Sequence, residues 1–182
     1  MATSMLKFEY IQSNHFKQED ECEENKQKKG FEVLSDGFIY VKKKSNKDSN
    51  YWKCKHPKCL IYKCLTLTIN FNNEIVGVSN VSHSIVEKNE SIPEKDWHFP
   101  LNENQIKTLR FLKKVKERCS NEEMGPAKVF EDEQNKLFRT LLTSCDKDEV
   151  ASLIPQFQSL KHGLQKRRNR THEQYCRKCN LK

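Results

Sequence analysis

Short runs of aromatic and β-branched residues occupy the first half of the chain and predict an antiparallel sheet. The first run follows Asp36-Gly37, a pair typical of tight turns, and a loop without apolar residues separates it from the second. The connections between the runs are short, which favours a meander in which consecutive strands pair. The four predicted strands are residues 38–41, 51–54, 64–69 and 75–78.

From residue 102 onward the apolar positions change to a helical period. Asn102 and Gln105 have the spacing of a capping box. Gly125 and Pro126 end one helical region and begin another, because proline is favoured at the first helical position. An apolar stripe runs through the first region at spacings of three and four residues. Its members are Ile106, Leu109, Leu112, Val115 and Cys119. We expect this stripe to pack in a helical core, with a partner-binding groove as the alternative.

These changes of pattern divide the chain into five segments. Residues 1–29 are polar and predict a mostly disordered segment, in which Phe8, Tyr10 and Ile11 are candidates for a short docked strand. The remaining segments are a strand-rich module at 30–86, a linker at 87–101, a helical segment at 102–170 and a basic tail at 171–182. The predicted fold class is α+β, a small four-stranded antiparallel sheet followed by helices.

The composition indicates a small apolar core and an excess of positive charge. Charged residues make up 32% of the 182 positions and apolar residues 35%, with a net charge of +8. No apolar run is long enough to span a bilayer, so we expect no membrane partner. The N-terminus also lacks the apolar core of a signal peptide, so we expect no secretion and predict that the eight cysteines are thiols rather than a disulfide framework. Positive charge is concentrated at 30–85 and 161–182. This distribution is typical of a polyanion binder, although a solvated surface gives the same pattern.

Cysteine and histidine residues stand near the ends of the predicted strands. Cys54 ends the second strand and Cys64 begins the third, so a hairpin can bring the two thiols together. His83 follows the fourth strand and can return to the same end of the sheet. Zinc bound by such side chains stabilises modules that are too small for a large apolar core. The sequence therefore predicts a zinc site.

The fourth zinc ligand has several candidates. Cys59 is preferred because thiolates dominate structural zinc sites. His56 stands in the same loop and is an alternative, and His98 is a more remote one.

Eight positions of the strand-rich module carry a resemblance to a known family. They are Leu34, Gly37, Phe38, Tyr40, Trp52, Cys54, Cys64 and His83. In these residues the module resembles a FLYWCH-type zinc finger, although the family pattern ends in His-x-His and Val81 and Ile85 stand at the two positions where a second histidine could be. The resemblance implies a zinc-bound, four-stranded antiparallel sheet akin to the plant WRKY DNA-binding domain. It also implies that the strand matching residues 38–44 enters the major groove of DNA.

Three motifs extend the resemblance into the helical segment. They are Leu109-x-Phe111-Leu112, Pro126-Ala127-x-Val129-Phe130, and the run from Leu153 to Leu160 followed by an arginine cluster. These motifs look like the segment after the DNA-binding module of Mutator-like transposases. In that family a catalytic domain with three acidic residues follows, for which we expect no room here. The chain offers no nucleophile-and-base motif and no glycine-rich phosphate loop, so we predict no enzymatic activity.

Basic residues follow the first predicted strand and flank Cys54. The predicted DNA-binding residues are Tyr40, Lys42, Lys43, Lys44, Lys53 and Lys55. Regular alternation along a strand places Tyr40, Lys42 and Lys44 on one face and Lys43 on the other. A second basic cluster is a candidate nuclear localisation signal or a phosphate-binding helix end. Its members are Lys166, Arg167, Arg168 and Arg170.

The sequence thus predicts a zinc-dependent DNA-binding protein of the nucleus. We expect it to act in transcription or chromatin, or to derive from the DNA-binding part of a transposase, with double-stranded DNA as its partner and no small-molecule substrate. The alternative is a zinc-stabilised protein-interaction module, in which the sheet or the helical stripe binds a partner chain.

Overall fold

The structure is a computed structural model that describes residues 7–12, 30–56, 59, 65–79 and 98–179, of which 170–179 are described by their backbone alone. The chain divides into two compact units, residues 1–101 and 102–182. The first unit contains the strands and the second contains the helices. The α+β class predicted from the sequence is therefore confirmed.

The described residues of the first unit form an antiparallel sheet of six strands, each paired with its neighbours along the chain. The strands are β1 (Phe8–Gln12), β2 (Phe31–Ser35), β3 (Phe38–Ser45), β4 (Ser49–Cys54), β5 (Thr66–Asn70) and β6 (Ile75–Val78). The prediction of four strands is wrong, because β1 and β2 precede the four that the pattern indicated.

Strand β1 lies inside the segment 1–29, for which the sequence predicts mostly disorder. Its five residues pair with β2 along their whole length, and Phe8 and Tyr10 pack against the core. Pairing with a distant strand thus stabilises a run whose own sequence is a weak signal. The predicted disorder at residues 1–6 and 13–29 lies outside the described residues.

Alternate residues of the strands form one face of the sheet, called here the inner face, which holds the core of the first unit. Trp52, Leu67 and Ile69 are 0% exposed, and Tyr40 is 1% exposed. The same core cluster contains Val33, Phe38, Cys54 and Cys59. Residues between these positions lie on the opposite, outer face. Trp52 supplies the largest apolar surface of the core, as predicted, and its removal is expected to cost roughly 3–5 kcal/mol.

The turn between β2 and β3 depends on a glycine. Asp36 and Gly37 have positive φ angles of 47° and 77°, and two positive angles are typical of a type I′ turn. A Cβ on Gly37 would lie 2.8 Å from the Cβ of Pro100. The backbone N–H of Leu101 donates to the Gly37 carbonyl over 2.8 Å. Glycine is therefore needed both for the turn and for the close approach of residues 98–101.

A β-bulge interrupts the pairing of β3 with β4. Lys42 pairs with Trp52, but the next pair is Lys44 with Tyr51, which leaves Lys43 as the extra residue. Directly opposed residues of an antiparallel pair share a face. Lys42 therefore lies on the inner face and Lys44 on the outer face. The prediction that these two lysines share a face is wrong, because it assumed an alternation that the bulge breaks.

In the described part of the second unit there are four helices, and the first two begin at their predicted signals. They are α1 (Glu103–Asn121), α2 (Pro126–Thr140), α3 (Ser144–Leu153) and α4 (Phe157–Cys179). Asn102 and Gln105 form the predicted capping box, and Pro126 opens α2 as predicted.

The buried stripe of α1 differs in part from the predicted one. Val115 and Cys119 are buried as predicted, whereas Ile106 and Leu109 are half-buried and lie outside the core cluster. Phe111 takes the central place and packs edge-to-face on an aromatic ring of α2, with the ring centroids 5.3 Å apart. Spacing alone does not separate the two stripes. The larger apolar surface of the phenylalanine decides which one faces the core.

Arg118 joins α1 to α2 through charge-assisted hydrogen bonds. It donates to Glu133 over 2.8 Å and to both carboxylate oxygens of Glu122 over 2.6 and 2.7 Å. Burial acts to raise the pKa of Glu133, but hydrogen bonds from Lys136 and Arg118 outweigh it and hold that pKa below its ordinary value of 4.5. The ionised form of Glu133 thus stabilises the helical unit.

We predict that acid weakens the helical unit through this carboxylate. A pKa that is lower in the folded state contributes stability above the unfolded value, and the contribution is lost as the pH falls through the folded value. Thermal unfolding followed by circular dichroism should therefore show a falling melting temperature below about pH 4.5. Glu133→Gln should lower stability at neutral pH by about 1–3 kcal/mol and flatten the acid limb. If Glu133→Gln lost stability at low pH in the same way as the native chain, this role of Glu133 would be contradicted.

Candidate metal centre

Three side chains of the first unit converge at one end of the sheet. The Sγ of Cys54 lies 3.6 Å from the Nδ1 of His98, and the Sγ of Cys59 lies 3.2 Å from the same nitrogen. All three donor atoms lie within 4.8 Å of one another. Tetrahedral zinc with ordinary bond lengths separates sulfur from nitrogen by about 3.6 Å and sulfur from sulfur by about 3.8 Å. The cluster therefore has the size of a metal site.

Strand β4 and the turn after it place the two thiols. Cys54 is the last residue of β4 and faces inward opposite Tyr40. The backbone N–H of His56 points at the Cys54 Sγ over 3.5 Å, and the N–H of Cys59 donates to the His56 carbonyl over 3.1 Å. Both thiols are nearly buried, with 3% and 4% exposed. An N–H directed at a ligand sulfur helps to orient that side chain for metal binding.

His98 is placed by the chain that returns to the β2–β3 turn. The contacts of Pro100 and Leu101 with Gly37 fix the backbone just beyond His98. The ring itself packs edge-to-face on Phe38, with centroids 4.9 Å apart. These contacts leave Nδ1 directed at the two sulfur atoms. The third donor of the cluster thus depends on the close approach that Gly37 permits.

His56 packs against the cluster rather than joining it. Its ring is stacked on that of His98, with centroids 4.2 Å apart and planes inclined by 14°. A metal-bound imidazole holds the ion near its own plane, and two stacked, nearly parallel rings do not share one ion in this way. The Nδ1 of His56 is buried and has no hydrogen-bond partner among the described residues. Because its ring is stacked on that of His98, His56 holds the His98 ring in position.

The structure combines two of the predicted zinc ligands with a third that was a remote alternative. Cys54 and Cys59 come together with His98, which belongs to the segment 87–101 that the sequence predicts as a linker. Cys64 and His83 lie outside the described residues. His98 is a remote candidate in the sequence because it stands 44 positions after Cys54. The feature of the sequence that could have indicated it is Gly37, whose missing side chain leaves room for a returning segment.

The predicted DNA-binding residues differ in their burial and in the face of the sheet on which they lie. Tyr40 is 1% exposed and belongs to the core, so its ring is not available to a partner. Lys55 forms an ion pair with Glu32 over 2.8 Å. Lys43 and Lys44 are exposed, whereas Lys53 is half-buried on the outer face. Burial of Tyr40 follows from its place opposite Cys54, beside the metal cluster.

The second basic cluster lies on helix α4. Lys166 is exposed, and Arg167 and Arg168 are half-buried. Arg168 donates to the backbone carbonyl of Glu123 over 2.6 Å, so it connects α4 to the chain before α2. The side chain of Arg170 lies outside the described residues. The role of this basic cluster in nuclear localisation stays a prediction.

The chain was compared with known proteins. No family model matches it, and neither a curated protein nor a solved structure matches it. The resemblance to FLYWCH-type fingers and Mutator-like transposases therefore stays a prediction from the residues named above. In the described part of the chain, no helix has the length and apolarity needed to cross a membrane.

We predict that the three donors and the stacked ring contribute differently to metal affinity. Cys59→Ser removes a donor and should weaken zinc binding by more than about 100-fold, whereas His56→Ala removes only a supporting ring and should weaken it by about tenfold. His56→Phe keeps a flat ring against His98 and should restore most of the affinity. Competition with a chromophoric chelator measures all three. An effect of His56→Phe as large as that of Cys59→Ser would make His56 a ligand.

We also predict that Gly37→Ala weakens the metal site without touching a donor. A Cβ would strain the turn by roughly 1–2 kcal/mol and meet Pro100, which moves His98 away from the thiols. Zinc affinity and melting temperature should fall together. Gly163→Ala is the matched control, since a Cβ there meets nothing within 4 Å, and it should leave both unchanged or raise stability slightly. Unchanged zinc affinity in Gly37→Ala would disconnect the turn from the site.

Proposed function

We propose that this protein is a zinc-dependent DNA-binding protein of the nucleus without catalytic activity. It acts in transcription or chromatin, or serves as a DNA-binding fragment derived from a transposase. The observation that carries the proposal is the cluster of Cys54, Cys59 and His98 at the end of a sheet whose strands bear exposed lysines.

Zinc is the metal that best suits the donors. Two thiols and an imidazole are soft or borderline ligands, which favour zinc over magnesium or calcium. Both sulfur atoms are nearly buried and extend the core of the sheet, an arrangement typical of structural rather than catalytic sites. The ion would tie the end of β4 to the turn between β2 and β3. Its contribution is on the order of 10 kcal/mol in small modules of this kind.

Duplex DNA is the partner that best suits the charge. The chain carries 33 lysine and arginine residues against 25 acidic ones, with an isoelectric point near 9.0. Lys43 and Lys44 are exposed at the end of β3. Localised positive charge attracts the phosphate backbone and gives binding that weakens steeply with salt.

A zinc-stabilised protein-interaction module is the second candidate. It is favoured by Ile106 and Leu109, which lie outside the core cluster of the helical unit and are half-buried. In this alternative a partner chain binds the helices, and the basic charge serves solubility or localisation.

Zinc and DNA binding can be tested together on the full chain. Fluorescence anisotropy with a labelled duplex should show binding by the zinc-loaded protein at low salt and its loss after chelation, because the sheet depends on the ion. Re-adding zinc, but not magnesium, should restore it. Absence of duplex binding by the zinc-loaded chain at low salt would favour the protein-interaction module.

A further inference from the structure

The β-bulge at Lys43 directs the lysines of β3 to different faces of the sheet. Before the bulge, Lys42 pairs with Trp52 on the inner face and is half-buried. After it, Lys44 pairs with Tyr51, and both belong to the outer face. One inserted residue thus moves positive charge from the core side of the hairpin to the other side.

The outer face of β3 and β4 carries two lysines beside one aromatic ring, and a third lysine stands at the bulge. Tyr51 and Lys53 are two residues apart on β4 and share this face, Lys44 pairs with Tyr51, and Lys43 is the exposed extra residue before Lys44. The Lys44 ammonium lies 5.4 Å from the centre of the Tyr51 ring. We call these four residues the outer basic surface.

Tyr51 orders the lysine that it contacts. A cation over an aromatic face is held by the ring quadrupole, so Lys44 loses less side-chain freedom when it meets an anion. Thr66 and Thr68 of β5 pair with Lys53 and Tyr51 on the same face. Threonine hydroxyls and lysine ammonium groups are common donors to phosphate oxygens.

From these contacts, and resting on the proposed DNA-binding function, we infer that the outer basic surface binds the phosphate backbone of duplex DNA. Tyr40 and Lys42 take no part, since one is core and the other lies on the inner face. Lys55 is also excluded, because its ammonium is held by Glu32. Lysine contacts to phosphate supply affinity that varies little with base sequence.

Charge complementarity favours a polyanion over an apolar peptide at this surface. Glu32 is the acidic residue that shares the outer face of β2 with this region, and its carboxylate is already paired with Lys55. Lys44 and Lys53, on two strands about 4.8 Å apart, and the exposed Lys43 at the bulge form a positive surface. Such a surface is typical of proteins that replace the counterions of a nucleic acid backbone.

The test compares neighbouring lysines that the bulge sends to opposite faces. Affinity of the zinc-loaded full chain for a duplex is measured at several salt concentrations. Lys44→Ala/Lys53→Ala should weaken binding roughly tenfold and lower the salt slope by about two units, at roughly 0.9 per phosphate contact. Lys42→Ala is the matched control and should leave the slope unchanged. Circular dichroism and zinc content confirm that each variant is folded.

The outcomes separate this inference from the proposed function. If folded Lys44→Ala/Lys53→Ala keeps the native salt slope and affinity while the unaltered chain binds DNA, the outer basic surface is not the DNA contact. The proposed DNA-binding function is then unaffected. Loss of slope in Lys42→Ala instead of Lys44→Ala/Lys53→Ala also overturns the outer basic surface. No duplex binding by the unaltered chain overturns both. Displacement of the duplex by polyglutamate at equal charge concentration overturns the choice of DNA, whereas retention of the duplex supports it.

Discussion

The close packing of residues 98–101 against the β2–β3 turn is the contact on which the first unit depends. Gly37 has no side chain, so Pro100 and Leu101 come within contact of the turn and hold His98 beside Cys54 and Cys59. A contact between segments some 60 residues apart costs loop-closure entropy, which one backbone hydrogen bond and the packing around it offset only in part. A metal ion bound by the three side chains would supply what they lack.

The candidate metal site at one end of the sheet is continuous with the core of the sheet. Cys54 and Cys59 belong to the same buried cluster as Trp52 and Tyr40, so the metal donors continue the core. An ion at that point would extend a core that is small for a six-stranded sheet. The opposite end of β3 and β4, where the bulge lies, has exposed lysines instead of donors. The proposed outer basic surface extends from this end to Lys53, the residue before Cys54.

The sequence predicts the elements better than it predicts their faces. Period and turn signals gave the four later strands, the capping box at Asn102 and the start of α2 at Pro126. It is harder to predict which residues of two strands lie opposite one another, because a single inserted residue at Lys43 reverses the face of Lys44. Tyr40 was misplaced because an aromatic residue with a hydroxyl suits a core and an interface equally well. The donor set was recovered in part, since no spacing rule connects His98 to Cys54 across 44 residues that include two further strands.

The zinc shell itself gives the most direct test of the central claim. X-ray absorption at the zinc edge of the loaded full chain should show at least two sulfur neighbours at about 2.3 Å and an imidazole nitrogen at about 2.0 Å. His98→Ala should remove imidazole scattering and keep the sulfur shell, while Cys59→Ala should remove one sulfur. A zinc shell without sulfur, or one that His98→Ala leaves unchanged, would contradict the account.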